Sequence, residues 1–176
     1  RYTREFDKSW GVHWGQEHMH FPPMFGHQYS HVWVDFKGIA DPWLRAKGID
    51  LHENSRRATI AQRNYAIANP RGWTGYDGEV WGLTACDGPG DFKRMIGGKE
   101  REFFSYSARG PGDRDDGTLA PTAAAGSIAF APPIVVPSPD AAGRTRELTG
   151  GYGAEAVFDF AGVQSTLDLS KAVVAN

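Results

Sequence analysis

Two histidines four residues apart lie in the most chemically varied stretch of the chain. His27 and His31 belong to a twelve-residue run that also holds Tyr29, Trp33 and Asp35. On a helix, residues four apart share one face, so the two imidazoles would stand one turn apart. Apolar and polar residues alternate over 32–36, so a helix and a strand both fit this run. This mixture of aromatic and hydrogen-bonding groups suits a wall that faces a sugar or a metal ion.

A metal site is one interpretation of these histidines. All six histidines lie within residues 13–52, and Glu17, His18 or His20 could serve as further ligands to a helical pair. The glutamate that zinc proteases place inside such a pair is absent, because position 28 is Gln. Histidines hydrogen-bonded within an aromatic-walled cleft are the other interpretation. We expect no metal ion and no cofactor.

Carboxylates offer a second kind of chemistry. Cleavage of a glycosidic bond needs two carboxyl groups that flank the bond. The candidates near aromatic residues are Glu17, Asp35, Glu79 and Asp87. Asp87 lies near Trp81 and directly before Gly88, which indicates a turn. A carboxylate on such a turn could bind a substrate or take part in its cleavage. An Asx turn that serves only the backbone is the alternative for this residue.

Two other features have simpler interpretations. Residues 109–116 hold two arginines and three aspartates (Arg109, Arg114, Asp113, Asp115 and Asp116). A calcium loop would need a downstream glutamate to close it, so we expect a solvated charged loop instead. The single cysteine, Cys86, excludes an internal disulfide and a cysteine-only zinc site, and is expected to be a small buried thiol.

Composition excludes several classes of protein. The chain has 176 residues, enough for one domain with a core, and a net charge of −2 with cations scattered among acids. This argues against a nucleic-acid groove or a surface for anionic lipids. No run of about 18 apolar residues is present, so we expect no membrane-spanning helix. The chain begins at Arg1, so the lack of a signal peptide says little.

Helix signals indicate which elements position these residues. Asp41-Pro42 predicts a short helix that ends at Gly48. Residues 50–69 form the clearest helical pattern, which Pro70 ends, and another helix is predicted over 122–130. Residues 1–24 are expected to be irregular. The glycine-rich stretch 70–119 is expected to be a system of long loops whose aromatic side chains rim a binding cleft.

Composition changes near Pro137-Ser138-Pro139. Beyond it the chain is small, aliphatic and free of Trp and His. Helix signals at 144–149 and 165–174 flank a short strand pattern at 156–160, which is typical of α/β chains. We therefore predict two parts, residues 1–138 and 139–176.

Four motifs in the first part resemble a bacterial glucoamylase-like family. This family includes endo-β-1,2-glucanases and the glycan-processing domains of cyclic β-1,2-glucan synthases. The motifs are FGHQYSHVWVDFKGI at 25–39, ENSRRAT at 53–59, WGLTACDGP at 81–89 and DGTLAPTAAAGS at 116–127. The resemblance covers about residues 13–137 and is specific, because four long motifs occur in order.

The resemblance implies a fold and an activity. It implies an (α/α)6 barrel whose cleft is built from loops at one end, and hydrolysis of β-glucan, β-1,2-linked in particular. The family domain is longer than this chain, and its general acid is expected upstream of these residues. The fold expected here is therefore mainly α, a partial (α/α)6 barrel with long loops, plus a short α/β-like tail.

The site residues expected from this chain follow from the resemblance and the chemistry together. The catalytic carboxyls are expected to be Asp87 and Glu17. The sugar subsites are expected to be lined by His27, Tyr29, His31, Asp35, Arg56 and Trp81. An oligo- or polysaccharide is the expected partner, with no nucleic acid and no membrane. The protein is expected to be bacterial and periplasmic or extracellular.

Two alternatives stay open for the function. The first is a non-catalytic carbohydrate-binding or structural remnant, and the second is a metalloprotein that uses the histidine cluster. A partial barrel would expose apolar helix faces, so self-association is also expected.

The tail resembles a different family. Residues 142–176, centred on 146–162, resemble part of the nucleotide-binding domain of zinc-dependent alcohol dehydrogenases. Neither a Gly-x-Gly-x-x-Gly fingerprint nor cysteine zinc ligands are present, so NAD binding is not implied.

Overall fold

One long helix is surrounded by short helices and three two-stranded sheets. The structure is a computed structural model, and it describes residues 8–132. In chain order its elements are β1 (Trp10–His13), β2 (Gln16–Met19), α1 (Phe25–Gln28), a 3-10 helix (Tyr29–Val32), α2 (Pro42–Ala46), α3 (Leu51–Ala68), β3 (Ala85–Asp87), β4 (Phe92–Ile96), β5 (Lys99–Phe103), β6 (Tyr106–Ala108) and α4 (Pro121–Ala125). The predictions made for 139–176 lie outside the described residues.

The long helix α3 confirms the clearest helix prediction. Its N-cap is Asp50, whose carboxylate accepts a hydrogen bond from the Glu53 amide at 2.7 Å. Asn69 ends it in the left-handed region with φ of 40°, directly before Pro70. The shorter helix α2 also begins as predicted, because Asp41 caps the Leu44 amide at 2.7 Å.

The buried face of α3 carries the core. The alanines on this face let neighbouring segments pack close to the helix backbone. Tyr65, the single tyrosine of the helix, fills the space beside them. One cluster joins Tyr65, Ala66, Tyr76, Trp81 and Leu83, and the other joins Met24, Ala58, Ala120 and Ala123. The apolar area buried here is the main stabilising term for these segments. No helix in residues 8–132 is both long and apolar enough to cross a membrane.

Two hairpins correct the expectation of irregular chain and long loops. Strands β1 and β2 pair antiparallel across Trp14-Gly15, and β4 and β5 pair across Gly97-Gly98. All four turn residues have positive φ, which the tight two-residue turns of type I′ require. The Gly97-Gly98 pair lies between two short strand segments, and such a pair in a sequence indicates a hairpin. Strands β3 and β6 also pair, so residues 85–108 are not a structureless loop.

The predicted solvated loop at 109–116 was wrong for three of its charges. The side chain of Arg109 is fully buried and donates to both carboxylate oxygens of Asp116, from Nε at 2.7 Å and from Nη2 at 2.8 Å. Asp115 is buried too and accepts from the hydroxyls of Tyr65 at 2.5 Å and Tyr76 at 2.7 Å. Buried charges persist when partners satisfy them. Arg109 and Asp116 satisfy each other within the loop, whereas the two tyrosines that bind Asp115 come from distant parts of the chain.

The ion pair between Arg109 and Asp116 generates a stability prediction. Burial alone would raise the pKa of Asp116, but the hydrogen bonds from Arg109 and neighbouring groups lower it below its usual range. The variant Asp116→Asn leaves Arg109 buried without a counter-charge, so we expect the free energy of unfolding to fall by about 3–5 kcal/mol. Urea denaturation of the 176-residue chain measures this.

The exposed pair of Lys93 and Glu100 provides the matched control. Its charged atoms lie 3.5 Å apart and both side chains are more than half exposed. Glu100→Gln should change the free energy of unfolding by less than about 1 kcal/mol. Equal effects of the two substitutions would contradict the importance assigned to the buried pair.

An exposed apolar surface around the 3-10 helix generates a second prediction. Tyr29, Val32 and Trp33 are 73%, 69% and 83% exposed. Clustered apolar groups of this kind favour association. We expect the chain to self-associate through this surface and Val32→Lys to weaken the association. Val12→Lys, at an equally exposed position on β1 (71%), should not. Light scattering that shows a monodisperse monomer would contradict the prediction.

Candidate functional site

A pocket of about 260 Å³ opens where the first and fourth motifs meet. Phe25, Gln28, Tyr29, His31 and Val32 line one side, and Thr122, Ala125, Gly126, Ala129 and Phe130 line the other. The two sides are tied together by one amide. Gln28 Nε2 donates to the Ala123 carbonyl at 2.8 Å and to Ser127 Oγ at 2.9 Å. These two hydrogen bonds hold α1 against α4 and maintain the shape of the pocket.

His31 is the histidine among the described residues that line this pocket. Its Nε2 lies 3.1 Å from Ser55 Oγ, and its ring meets the ring of Phe130 edge to face at 4.5 Å. Burial, followed by the charge on His52, lowers the pKa of His31 to about 4. At neutral pH the imidazole is therefore uncharged and can donate from one nitrogen while accepting at the other.

Each of the four motifs is hydrogen-bonded to at least one of the others. The first and second motifs meet through His31 and Ser55. The first and third meet where the Phe25 amide donates to Thr84 Oγ1 at 3.0 Å. The third and fourth meet where the Ala120 amide donates to the Gly82 carbonyl at 3.0 Å. Residues separated by as much as a hundred positions are thus gathered into one region.

His27 does not share its surroundings with His31, although the two lie four residues apart. It is buried, as is His18, and these two line a narrow cavity together with the half-buried His13 and His20. We call this group of four the histidine nest. His27 Nε2 lies 3.2 Å from the Phe21 carbonyl, and the rings of His13 and His20 stack at 3.9 Å. Helix α1 ends at Gln28, and the tighter 3-10 helix that follows separates the two imidazoles.

The histidine nest bears on the metal interpretation. Burial lowers the pKa of both His18 and His27 to about 4. Among the residues that the structure describes, no three or more His, Cys, Asp or Glu side chains are arranged to hold a metal ion.

Three predicted sugar-lining residues lie elsewhere. Trp81 is only 4% exposed and packs in the core against Tyr65 and Leu83. Arg56 pairs with Glu53, whose carboxylate lies 2.7 Å from its Nε, on the outer face of α3. Asp35 is exposed and accepts from the Lys37 amide at 3.1 Å in a local turn. Of the predicted sugar-lining residues, the structure brings Tyr29 and His31 together at the pocket.

The two predicted catalytic carboxylates are exposed and separate from the pocket lining. Glu17 lies on β2, and its Oε1 accepts from Trp10 Nε1 at 3.0 Å. Asp87 ends β3 opposite Tyr106. Among the described residues that line the pocket there is no carboxylate. Sequence reasoning missed Gln28 as a pocket residue, although it stands inside the first motif.

A comparison with protein families identifies the relatives of this chain. A model of the Glycoamylase family, described as “Putative glucoamylase”, matches residues 1–171. This chain belongs to the Glycoamylase family. The match runs past the composition change at 137–139, and no comparison supports the resemblance of the tail to alcohol dehydrogenases.

Relatives of this Glycoamylase chain include β-1,2-glucan hydrolases. The “Exo beta-1,2-glucooligosaccharide sophorohydrolase (non-reducing end)” of Parabacteroides distasonis is 31% identical over 111 residues, which are 62% of this chain and 13% of that protein. A crystal structure of a “putative glucoamylase” from Bacteroides caccae has a TM-score of 0.56 and 27% identity over 72% of this chain and 28% of that one. An endo-β-1,2-glucanase from Chitinophaga pinensis, solved with sophorotriose and glucose, has a TM-score of 0.54 and 26% identity over 70% of this chain and 27% of that one.

The histidine nest predicts loss of stability in weak acid. The ordinary pKa of 6.5 applies to His18 and His27 in the unfolded chain, against about 4 in the folded one. Between pH 6.5 and 4 the unfolded chain therefore binds more protons, so the free energy of unfolding falls as pH falls. One such histidine accounts for about 2 kcal/mol by pH 5. Urea midpoints measured between pH 5 and 7.5 test this.

The variant His27→Gln should flatten this slope while keeping a donor for the Phe21 carbonyl. Glu53, with a pKa lowered to about 2 by hydrogen bonds from Arg56 and Arg57, loses its contribution only as pH falls below its ordinary 4.5. It therefore does not account for changes above pH 5. A constant midpoint from pH 7 to 5 in the unsubstituted chain would contradict the prediction.

Proposed function

We propose that the protein is a glycoside hydrolase that acts on β-glucan, with β-1,2-linked glucose as its substrate. The observation that carries the proposal is the pocket formed by the first and fourth motifs in a chain of the Glycoamylase family. The proposal is supported by relatives named as a β-1,2-glucooligosaccharide sophorohydrolase and an endo-β-1,2-glucanase.

The pocket suits one pyranose ring. Its volume of about 260 Å³ lies near the lower end of ligand pockets. Phe25 and Phe130 offer apolar surface to the C–H face of a sugar, while Tyr29, His31 and Thr122 offer hydrogen-bonding groups to its hydroxyls. We propose that this pocket is a sugar subsite.

The bond-breaking chemistry requires two carboxyl groups. One protonates the oxygen of the leaving sugar, and the other activates water or attacks the anomeric carbon. We propose that Asp87 supplies one of them. The second is Glu17 or a carboxyl group outside these 176 residues. We also propose that α3 is one helix of a partial (α/α)6 barrel, and that the protein is periplasmic or extracellular.

Incubation of linear β-1,2-glucan with the full-length protein, which supplies both carboxyl groups, tests the activity. We expect shorter oligosaccharides by chromatography, and the variant Tyr29→Ala should raise KM by about tenfold because it removes a sugar contact at the pocket rim. Met95→Ala is the matched control, since Met95 is 63% exposed on β4 and does not line the pocket. Equal effects of the two variants would refute the subsite, and the absence of products would refute the hydrolase.

One observation favours a second function, carbohydrate binding without catalysis. Neither Asp87 nor Glu17 is among the described residues that line the pocket. A binding protein would show glucan-dependent quenching of tryptophan fluorescence, to which the exposed Trp33 contributes, without any product. Product formation would exclude this alternative, and the absence of both signals would exclude binding and hydrolysis together.

A further inference from the structure

A buried arginine holds the turn that carries Asp87. Arg109 Nη1 donates at 2.6 Å to the carbonyl of Cys86, the peptide group directly before Asp87. Its Nη2 donates at 2.8 Å to the carbonyl of Phe104, on the chain that leads into β6. One fully buried guanidinium therefore bridges the two sides of the sheet formed by β3 and β6.

Asp116 fixes the direction of this guanidinium. Its two oxygens accept from Nε and Nη2 of Arg109 in the fork geometry that holds an arginine in one orientation. The carboxylate is itself anchored by the amides of Phe104 and Thr118, each at 3.1 Å. The donors of Arg109 are therefore aimed by groups that cannot easily rotate.

Gly88 shows how closely the turn approaches the arginine. A Cβ atom at this position would overlap Nη2 of Arg109 and the carbonyl oxygen of Phe104. The Gly88 amide also donates to the carbonyl of Ser105, so the turn is bonded on both sides. The backbone at Gly88, directly after Asp87, is thus packed against a buried charge with no room for a side chain at position 88.

We propose that Arg109 is a positioning residue that sets where the carboxylate of Asp87 stands relative to the substrate. This rests on the proposed function, in which Asp87 is a site carboxyl. A buried ion pair is a weak source of stability compared with apolar packing. A fixed guanidinium that binds the peptide before Asp87 instead limits the movement of that residue. Functional groups need such support, because a displacement of about 1 Å can cost about 100-fold in rate.

The variant Gly88→Ala tests the proposal without removing any charge. We expect kcat on linear β-1,2-glucan to fall between about 10- and 100-fold while KM changes less than about twofold. Gly78→Ala is the matched control. A Cβ there would lie 2.7 Å from Nη2 of Arg63, so it also pushes an arginine, but one that bonds the carbonyl of Gly78 and not the Asp87 turn. This control should keep its kcat.

Cys86 provides a readout that does not depend on activity. It is the single cysteine of the chain, and its Sγ lies 3.6 Å from Nη1 of Arg109. We expect Gly88→Ala and Arg109→Lys to raise the rate at which a disulfide reagent modifies this thiol by about fivefold, because the turn opens. Gly78→Ala should not change it. Arg109→Lys should also retain more kcat than Arg109→Met, since lysine can still reach a carbonyl.

The combined outcomes separate the two proposals. A faster thiol reaction with a lower kcat and an unchanged KM supports the positioning role. A faster thiol reaction with an unchanged kcat per folded molecule overturns the positioning role and leaves the proposed hydrolase intact. An unchanged thiol rate in Gly88→Ala also overturns it. The absence of turnover in the unsubstituted protein overturns the proposed function and the positioning role with it.

Discussion

The described structure depends on one side chain of the long helix, Gln62. Its Nε2 donates to the carbonyls of Pro22 and Leu83, both at 2.9 Å, and its Oε1 accepts from the Leu83 amide at 2.8 Å. Two extended segments thereby gain the hydrogen bonds that a neighbouring strand would otherwise supply. An unsatisfied buried amide or carbonyl costs about 1–3 kcal/mol. This bonding therefore makes it possible to bury the third motif directly against α3.

Other side chains also bind buried backbone groups in this way, which explains how a core with many glycines and loops is maintained. The alanines of α3 let the chain come close, but a close approach also strips water from backbone groups. Side chains such as Gln28, Gln62 and Arg109 then take the place of that water. Each joins segments far apart in sequence, so the motifs are positioned by long-range polar bonds as much as by apolar contact. The pocket depends on the same kind of hydrogen bonding, because Gln28 joins its two walls.

Local signals in the sequence predicted the helices but not these long-range bonds. Asp41 and Asp50 are N-caps whose effect is confined to their own first turn, so α2 and α3 could be predicted from neighbouring residues alone. The Gly97-Gly98 turn was equally local and was overlooked. Trp81 was assigned to a sugar subsite because Tyr65, which shares its core cluster, is distant in the chain. Arg109 was assigned to the surface because the local sequence of a charged loop does not show that the loop is buried. Tyr29 and His31 were singled out because they lie inside a recognised motif; they do line the pocket, and their contact with a sugar stays a prediction.

The neutral state of His31 is consistent with the chemistry proposed for the pocket. Burial and the nearby His52 oppose a positive charge on this imidazole. Cleavage of a glycosidic bond develops positive charge on the sugar ring in the transition state. An imidazolium in contact with that sugar would oppose the developing charge, whereas a neutral imidazole can bind a hydroxyl without this penalty. The aromatic and hydrogen-bonding groups that line this pocket can therefore hold a sugar, while the negative charge that stabilises the reaction has to come from carboxylates that are not among the described lining residues.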